Sequence, residues 1–446
     1  MKKIYRLLYS NKFVAMVMLL MQIITFVAMY IWISDYSKVL FGLSTVLSAV
    51  LIIFEINRTE ESTFKMTWIT LIAIIPIFGA LFYLFTRAQG VSMNIGDDYK
   101  NIQEANKKYL VQDNDVMKNI YQTDKNQDGF ARYLSKYGGS PAYTNTGVQY
   151  YSIGERMFED MKKELLKAEK FIFLEFFIIN HTSRMWNEIL EILKKKVKQG
   201  VEVRVMYDGM CCLMLLPYHY PQKLEKMGIR CQMFSPIKPV LSTHQNYRDH
   251  RKVTVIDGHT AFTGGVNLAD EYINRKERFG HWKDTAIKIE GDAVQSFTMM
   301  FLQMWNITER QPEDYAKYLT EKQPGFSRKD GYIIPYGDSP FDHENVGEEV
   351  YFHILNHAKK YVHIMTPYLI LDSEMITTLT RAAKSGIEVI IIMPHIPDKW
   401  YAFVLAHTYY KELIQAGVSI YEYTPGFVHA KVFVADDDTA TVGTIN

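Results

Sequence analysis

At 446 residues the chain is too long for one ordinary domain and long enough for two compact ones beside an anchor. Its 50 Lys and Arg against 49 Asp and Glu leave a net charge of +1, which excludes a protein that holds nucleic acid by a strong overall basic field, though not one with a local basic groove. Only Cys211, Cys212 and Cys231 are present, two of them adjacent, so neither a disulfide framework nor a zinc site of CxxC spacing is available.

Residues 1–90 read as a membrane anchor. Phe13 to Ile33 is an uncharged, mostly apolar run of 21 residues, about the length needed to cross a hydrocarbon core of roughly 30 Å. It is too long for the apolar part of a signal peptide, and no A-x-A-like cleavage site follows it. A second run, 39–56, is interrupted by Glu55 and weakened by Gly42, Ser44, Thr45 and Ser48. A third, 66–85, contains Pro76 and Gly79, which neighbouring helices can accommodate in a membrane. Two or three transmembrane helices are therefore expected. Lys2, Lys3, Arg6 and Lys12 precede the first run, and Arg58 and Lys65 separate the second from the third. Because positive charge favours the cytoplasmic side, three spans place everything after Phe85 outside, and two spans reverse that. Residues 91–142 read as a linker region.

From Tyr143 onward short apolar strands alternate with amphipathic helices, the pattern of an α/β fold with a mixed or parallel sheet. The pattern occurs twice. AEKFIFLEFF (168–177), KQGVEVRVMYD (198–208), LEKMGIRCQMF (224–234) and DHRKVTVIDG (249–258) are answered by AKKYVHIMTPY (358–368), KSGIEVIIIMP (384–394), LIQAGVSIYEY (413–423) and VHAKVFVADD (428–437). Each glycine before a Val/Ile-rich run fits a helix stop followed by a buried strand. The expected fold is two pseudo-symmetric halves, 143–308 and 331–446, joined by a linker at 309–330, with any site at the interface between them.

His250, Lys252, Asp257, Gly264 and Asn267 stand at offsets of 0, 2, 7, 14 and 17, and His429, Lys431, Asp436, Gly443 and Asn446 repeat them. One H-x-K-x4-D match alone is a weak signal, but a second copy at the corresponding place of an internal repeat makes accident untenable. In a strand alternate side chains share a face, so His250 projects with Lys252 and His429 with Lys431. Two imidazoles and two ammonium groups, with Asn267 and Asn446 as nearby donors, make a site for a phosphate or its ester. One neutral histidine can attack phosphorus while the other protonates the leaving alkoxide, and either assignment is open at this level. The lysines supply the positive charge, so no metal and no cofactor is called for. Asp257-Gly258 and Asp436 to Asp438 also have the composition of tight turns. His244, His281 and His353 have no repeat partner at these offsets and read as structural.

The duplicated H-x-K-x4-D motif resembles that of the phospholipase D superfamily. FTGGVNLADEY (262–272), HWKDTAIKIEGDAVQSFTMMFLQMW (281–305), TPYLILD (366–372) and TWITLIAIIPIFGALFYLFTR (67–87) are similar to its bacterial cardiolipin synthases, a likeness that runs from about residue 40 to the end. The resemblance implies two phospholipase D-like α/β halves and catalytic His250, Lys252, Asp257, His429, Lys431 and Asp436, with Asn267 and Asn446 binding substrate. It implies transfer of a phosphatidyl group from one phosphatidylglycerol, through a phosphohistidine on His250, to another, with glycerol released. The implied setting is multi-pass, in a bacterial plasma membrane, with the lipid bilayer and phosphatidylglycerol as partners and no nucleic acid. Two departures stand out. The Phe13–Ile33 run looks like an extra span, and relatives continue past Asn446 with a strand and helix, so the second half is expected to be truncated. A lipid hydrolase sharing the first step, a nuclease and an inactive membrane scaffold are the rival readings.

Overall fold

The computed structural model describes residues 36–58, 62–87, 93–213, 215–236, 247–309, 313–320, 331–341 and 344–445, with a few positions between 20 and 27. The candidate span 13–33 lies almost wholly outside the described residues, and so does Asn446. The chain divides into two compact units, 1–95 with 237–247 and 96–236 with 248–446.

In the first unit the second apolar run forms α1 (Tyr36–Ile56). Its uncharged stretch between Lys38 and Glu55 is about 16 residues, or some 24 Å at 1.5 Å per residue, less than the roughly 30 Å of a hydrocarbon core. The third run is not one helix. It breaks into α2 (Ser62–Ile74) and α3 (Pro76–Arg87), because Pro76 lacks an N–H and its ring clashes with the preceding turn. Among the described residues no helix is long and apolar enough to cross a membrane. Leu51, Ile72, Ala80 and Tyr83 form this unit's small core. Glu55 is buried in it and accepts hydrogen bonds from Tyr83 Oη (2.6 Å) and Arg87 Nη2 (3.5 Å). At Gly79 the helices approach so closely that a Cβ would lie 2.6 Å from the Leu71 carbonyl oxygen.

The stretch 91–142, read as a linker, is largely helical, with α4 (Met93–Asn106), α5 (Asn114–Thr123) and α6 (Lys125–Lys136). Asp113 and Asp124 cap the last two, each accepting from a backbone N–H two residues on. The first half then runs β1 (Thr146–Tyr151), α7 (Gly154–Lys167), β2 (Phe171–Phe176), α8 (Arg184–Lys198), β3 (Glu202–Asp208), α9 (Tyr220–Glu225), β4 (Arg230–Phe234), β5 (Lys252–Ile256), β6 (Thr260–Gly264), β7 (His281–Lys283), β8 (Ala286–Gly291) and α10 (Val294–Glu309). The second half runs α11 (Val346–His357), β9 (Tyr361–Met365), α12 (Ser373–Lys384), β10 (Glu388–Pro394), α13 (Trp400–Gln415), β11 (Ser419–Tyr423), β12 (Gly426–Val428), β13 (Val432–Ala435) and β14 (Thr439–Val442).

Seven strands form one sheet in the order β1-β8-β6-β5-β2-β3-β4, and five form another, β11-β10-β9-β13-β14. Reversed, the second reads as the β6-β5-β2-β3-β4 portion of the first. In this shared five-strand portion both junctions of the motif strand are antiparallel and the other pairs are parallel, so the sequence repeat is a structural repeat. Strands β2, β3 and β5 are buried along nearly their whole length, which explains their continuous rather than alternating apolar runs. A third element joins the halves: β7 from the first pairs in parallel with β12 from the second, Trp282 opposite Phe427 and Lys283 opposite Val428.

Candidate functional site

The first motif lies along the central strand of its sheet and the second along the strand next to the centre of its own, and the two ends of that strand do different work. At the far end, Asp257 accepts hydrogen bonds from the backbone N–H groups of Glu169 (2.7 Å), Lys170 (2.8 Å) and Phe171 (2.8 Å). Asp436 accepts from Lys359 (2.6 Å), Lys360 (2.8 Å) and Tyr361 (2.9 Å). Asp257 and Gly258 have φ of 52° and 74°, and Asp436 and Asp437 of 53° and 62°, left-handed values that tighten the chain reversal. An offset of five positions along the strand, about 16 Å at 3.3 Å each, separates either aspartate from its lysine. The structure therefore does not bring Asp257 and Asp436 to the imidazoles with which the sequence grouped them. They pin the neighbouring strand instead.

At the near end, His250, Lys252, His429 and Lys431 meet between the halves. Lys252 Nζ donates to the carbonyl oxygen of His250 (2.6 Å), and Lys431 Nζ to that of His429 (2.5 Å). His250 Nδ1 is 3.0 Å from the carbonyl oxygen of Thr444, and His429 Nδ1 is 2.8 Å from Asp284 Oδ2. A carbonyl or carboxylate oxygen can only accept, which assigns the proton to Nδ1 in both rings and leaves the lone pair of each neutral ring on Nε2. Asp284 follows β7 and so reaches His429 because β7 pairs with β12. The backbone N–H of His429 completes that junction by donating to Lys283 (2.8 Å). A Cβ on Gly265 would lie 1.9 Å from Asp284 Oδ1 and 2.8 Å from the His429 carbonyl oxygen, so only glycine leaves room for this pair. Asn267 Oδ1 accepts from the backbone N–H of Ile178 (2.9 Å). Its amide nitrogen is buried beside the Tyr272 hydroxyl. Gly443 has open space around it, so the repeated glycines are not equivalent. Among the described residues no group of three His, Cys, Asp or Glu side chains is placed to hold a metal ion.

The family model for the phospholipase D-like domain of cardiolipin synthase matches residues 161–305 and 351–446, and the phospholipase D-nuclease N-terminal model matches 45–87. A cardiolipin synthase of Alkalihalophilus pseudofirmus is 32% identical over 439 residues, covering 94% of this chain and 84% of that protein. The chain belongs to the cardiolipin synthase family. It is an enzyme of the phosphatidyltransferase type. A Streptococcus mutans protein described only as uncharacterized is 52% identical over 395 residues, 89% of this chain and 85% of its own length. Among solved structures, a phosphatidylserine synthase of Haemophilus influenzae overlays with a TM-score of 0.47 at 16% identity, over 70% of this chain and 81% of that one. That likeness adds nothing to the assignment.

In this family member the site is electrostatically severe. Burial, reinforced by Lys252, Lys431 and His429, holds the His250 imidazole far below its usual pKa. Burial and Lys431 bring His429 down to about 4, with Asp284 acting in the opposite direction. Burial lowers Lys431 to about 7, and burial with Lys431 depresses Lys252 strongly. Burial would raise the Asp284 carboxyl, but His429 and Lys431 hold it low. The apolar walls are aromatic. Tyr272, Trp282 and Phe427 surround the His429 ring at centroid distances of 5.5, 5.4 and 5.8 Å, and Phe177 lies 4.9 Å from His250 with Lys252 Nζ 5.3 Å over it. Unliganded, the cluster thus carries less positive charge than its composition suggests, and an anion entering it would draw protons in.

Asp284 is a site residue that spacing could not reveal, since it has no repeat partner in this chain. Its signal was an acid within the apolar-flanked HWKDTAI run. A second hidden layer lies behind the motif strand. Glu175, near the carboxyl end of β2 opposite Val253, is fully buried with Asp249, and Arg251 Nη1 is 3.8 Å from its Oε1. Burial and Asp249 push the Glu175 carboxyl well up. Asp208 Oδ2 accepts from the Asp249 backbone N–H (2.9 Å) and fixes the segment that delivers His250.

Proposed function

We propose that this enzyme transfers the phosphatidyl group of one phosphatidylglycerol to the glycerol hydroxyl of a second, forming cardiolipin and releasing glycerol. The observation that carries the reading is the pair of imidazoles facing the same lysines with unlike Nδ1 partners, a carbonyl for His250 and a carboxylate for His429. A carboxylate stabilises an imidazolium, which suits His429 to shuttle a proton. A carbonyl leaves His250 neutral and nucleophilic.

In the first step His250 Nε2 attacks phosphorus, the P–O bond to glycerol breaks, and protonated His429 gives its proton to the departing alkoxide. In the second, His429 takes the proton of the incoming lipid hydroxyl, whose oxygen bonds to phosphorus as the P–N bond breaks. Lys252 and Lys431 neutralise the non-bridging oxygens, and the Asn267 amide is a donor for one of them, with Asn446 in the same role for the second half. Asp257 and Asp436 serve by holding the strands in place. The apolar amino-terminal region, which includes the 13–33 run, anchors the enzyme in the bacterial plasma membrane, and a phospholipid is its substrate.

The test is covalent capture with a substrate radiolabelled in the phosphatidyl moiety. His250→Ala is expected to lose the acid-labile adduct completely. His429→Ala is expected to form it when the leaving group is a nitrophenol, which needs little protonation. An adduct that persists in His250→Ala and vanishes in His429→Ala with the nitrophenyl lipid would overturn the assignment.

A further inference from the structure

The surface beside the site has an uneven chemistry along α13. Ala402, Ala406 and Leu413 turn inward and are buried. On the other side the first two turns present Trp400, Tyr401, Val404 and Leu405, which are 73%, 58%, 55% and 38% exposed. Farther along, the exposed residues are His407, Thr408, Lys411, Glu412, Ile414 and Gln415, with Ile414 the one large apolar side chain among them. The helix is therefore apolar outward at its start and mainly polar outward at its end. Ile370 and Ile396, 60% and 38% exposed, follow the carboxyl ends of the parallel strands β9 and β10, the edge of the sheet from which α13 also departs. Single exposed apolar residues need no explanation, but a contiguous group marks a contact surface.

This patch is continuous with the site. Lys399 precedes Trp400, and its Nζ lies 4.7 Å from the centre of the Tyr368 ring. Tyr368 Oη donates to Asp398 Oδ2 (2.7 Å). Asp398 and Lys399 both act electrostatically on Lys431, and Tyr368 is within the same reach of Tyr401 and of Tyr272, the ring that meets His429 edge-on. An aromatic and cationic rim thus runs from the exposed face to the buried cluster.

We infer that this face docks onto the surface of an anionic phospholipid bilayer, with the first two turns of α13 entering the headgroup layer. The inference rests on the proposed reading that the substrate is a phosphatidyl lipid. Three observations favour a bilayer over a protein partner. The apolar side chains are led by Trp and Tyr, whose amphipathic rings suit the boundary between headgroups and acyl chains. Exposed polar side chains gather toward the far end of the helix, as for an element entering obliquely. Lys399 stands where the apolar patch meets the site, positioned for the phosphate of a lipid still seated in the membrane. A lipid drawn up along the Tyr368–Lys399 rim would bring its phosphate to Lys431 while its chains stay in the bilayer.

The full chain, reconstituted in phosphatidylglycerol vesicles, carries a fluorophore on Val404→Cys or, as control, on Gln415→Cys, with signal from the parent chain subtracted. The probe at 404 is expected to shift to the blue and to be quenched by lipids spin-labelled near the headgroup, at a depth of roughly 5–10 Å, while the probe at 415 stays in water. Trp400→Ser with Tyr401→Ser is expected to slow turnover on vesicles by at least about tenfold and to leave turnover of a monomeric short-chain phosphatidyl substrate unchanged. A probe at 404 that remains in water overturns the inference, as does one shielded in a concentration-dependent way in detergent, which assigns the face to a second copy of the chain. A buried 404 probe on vesicles where no phosphatidyl transfer occurs supports docking and refutes the functional reading instead.

Discussion

Replacing Asp284 by Asn isolates the electrostatic partner of His429 without changing its shape. The carboxylate accepts the His429 Nδ1 proton at 2.8 Å, with side-chain exposures of 9% for the imidazole and 0% for the acid. A buried hydrogen bond to a charged group contributes roughly 1.5–3 kcal/mol, and every 1.4 kcal/mol is about tenfold in rate. The expected loss in kcat is therefore about 10- to 100-fold with phosphatidylglycerol. Asp284 also opposes the burial that lowers His429, so in Asp284→Asn the imidazole falls below its present value of about 4 and its protonated form is still scarcer. With a nitrophenyl phosphatidyl substrate, which needs no proton donor to depart, adduct formation is expected to return nearly to the parent rate. Burst kinetics on both substrates, with thermal unfolding to confirm an intact fold, measure this. An equal loss with both leaving groups, or none with either, would refute the role given to the pair.

Three further outcomes follow from the same geometry. Gly265→Ala places a Cβ where Asp284 Oδ1 now sits, at 1.9 Å; displacing the carboxylate by about 1 Å is expected to lower kcat by about 100-fold, measured beside a melting curve that moves far less. Asp257→Asn keeps at most part of the three-amide clamp and is expected to destabilise by roughly 1–3 kcal/mol, read from denaturant unfolding, with a smaller effect for the more exposed Asp436→Asn. Lys431, lowered to about 7 in the free site, is drawn back to the ammonium by a bound anion, so affinity for a short-chain phosphatidylglycerol should fall as pH rises through about 7, by up to tenfold per unit. Titration calorimetry across that range checks it, and Lys431→Met should flatten the profile.

The fold and half of the site were legible because they are written along strands. Matching offsets in VHAKVFVADD and DHRKVTVIDG become matching positions on β5 and β13, and equal sheet orders follow from equal alternations of strand and helix. Asp257 and Asp436 share the motif with His250 and His429, yet strand rise carries them away from it. Proximity in sequence was there a poor guide to proximity at the site. Asp284 was hidden for the opposite reason: it meets His429 through a strand pair that crosses between halves, 145 residues apart in the chain. Glu175 sits in an apolar run whose period gives no hint of a buried carboxyl beside Asp249. Helices α5 and α6 were missed because their polar sequences bury only narrow stripes, Val116 with Ile120 and Ala131 with Leu134. The second and third apolar runs had sufficient length by count, but Lys38, Glu55 and Pro76 shorten the continuous apolar helix each can make.

The most direct measurement is the product balance in vesicles of pure phosphatidylglycerol containing the enzyme. Transfer between lipids is expected to yield one cardiolipin and one glycerol for every two phosphatidylglycerols consumed, and His250→Ala should yield neither. Phosphatidic acid and glycerol in equal amounts, without cardiolipin, would contradict transfer and assign water as the acceptor.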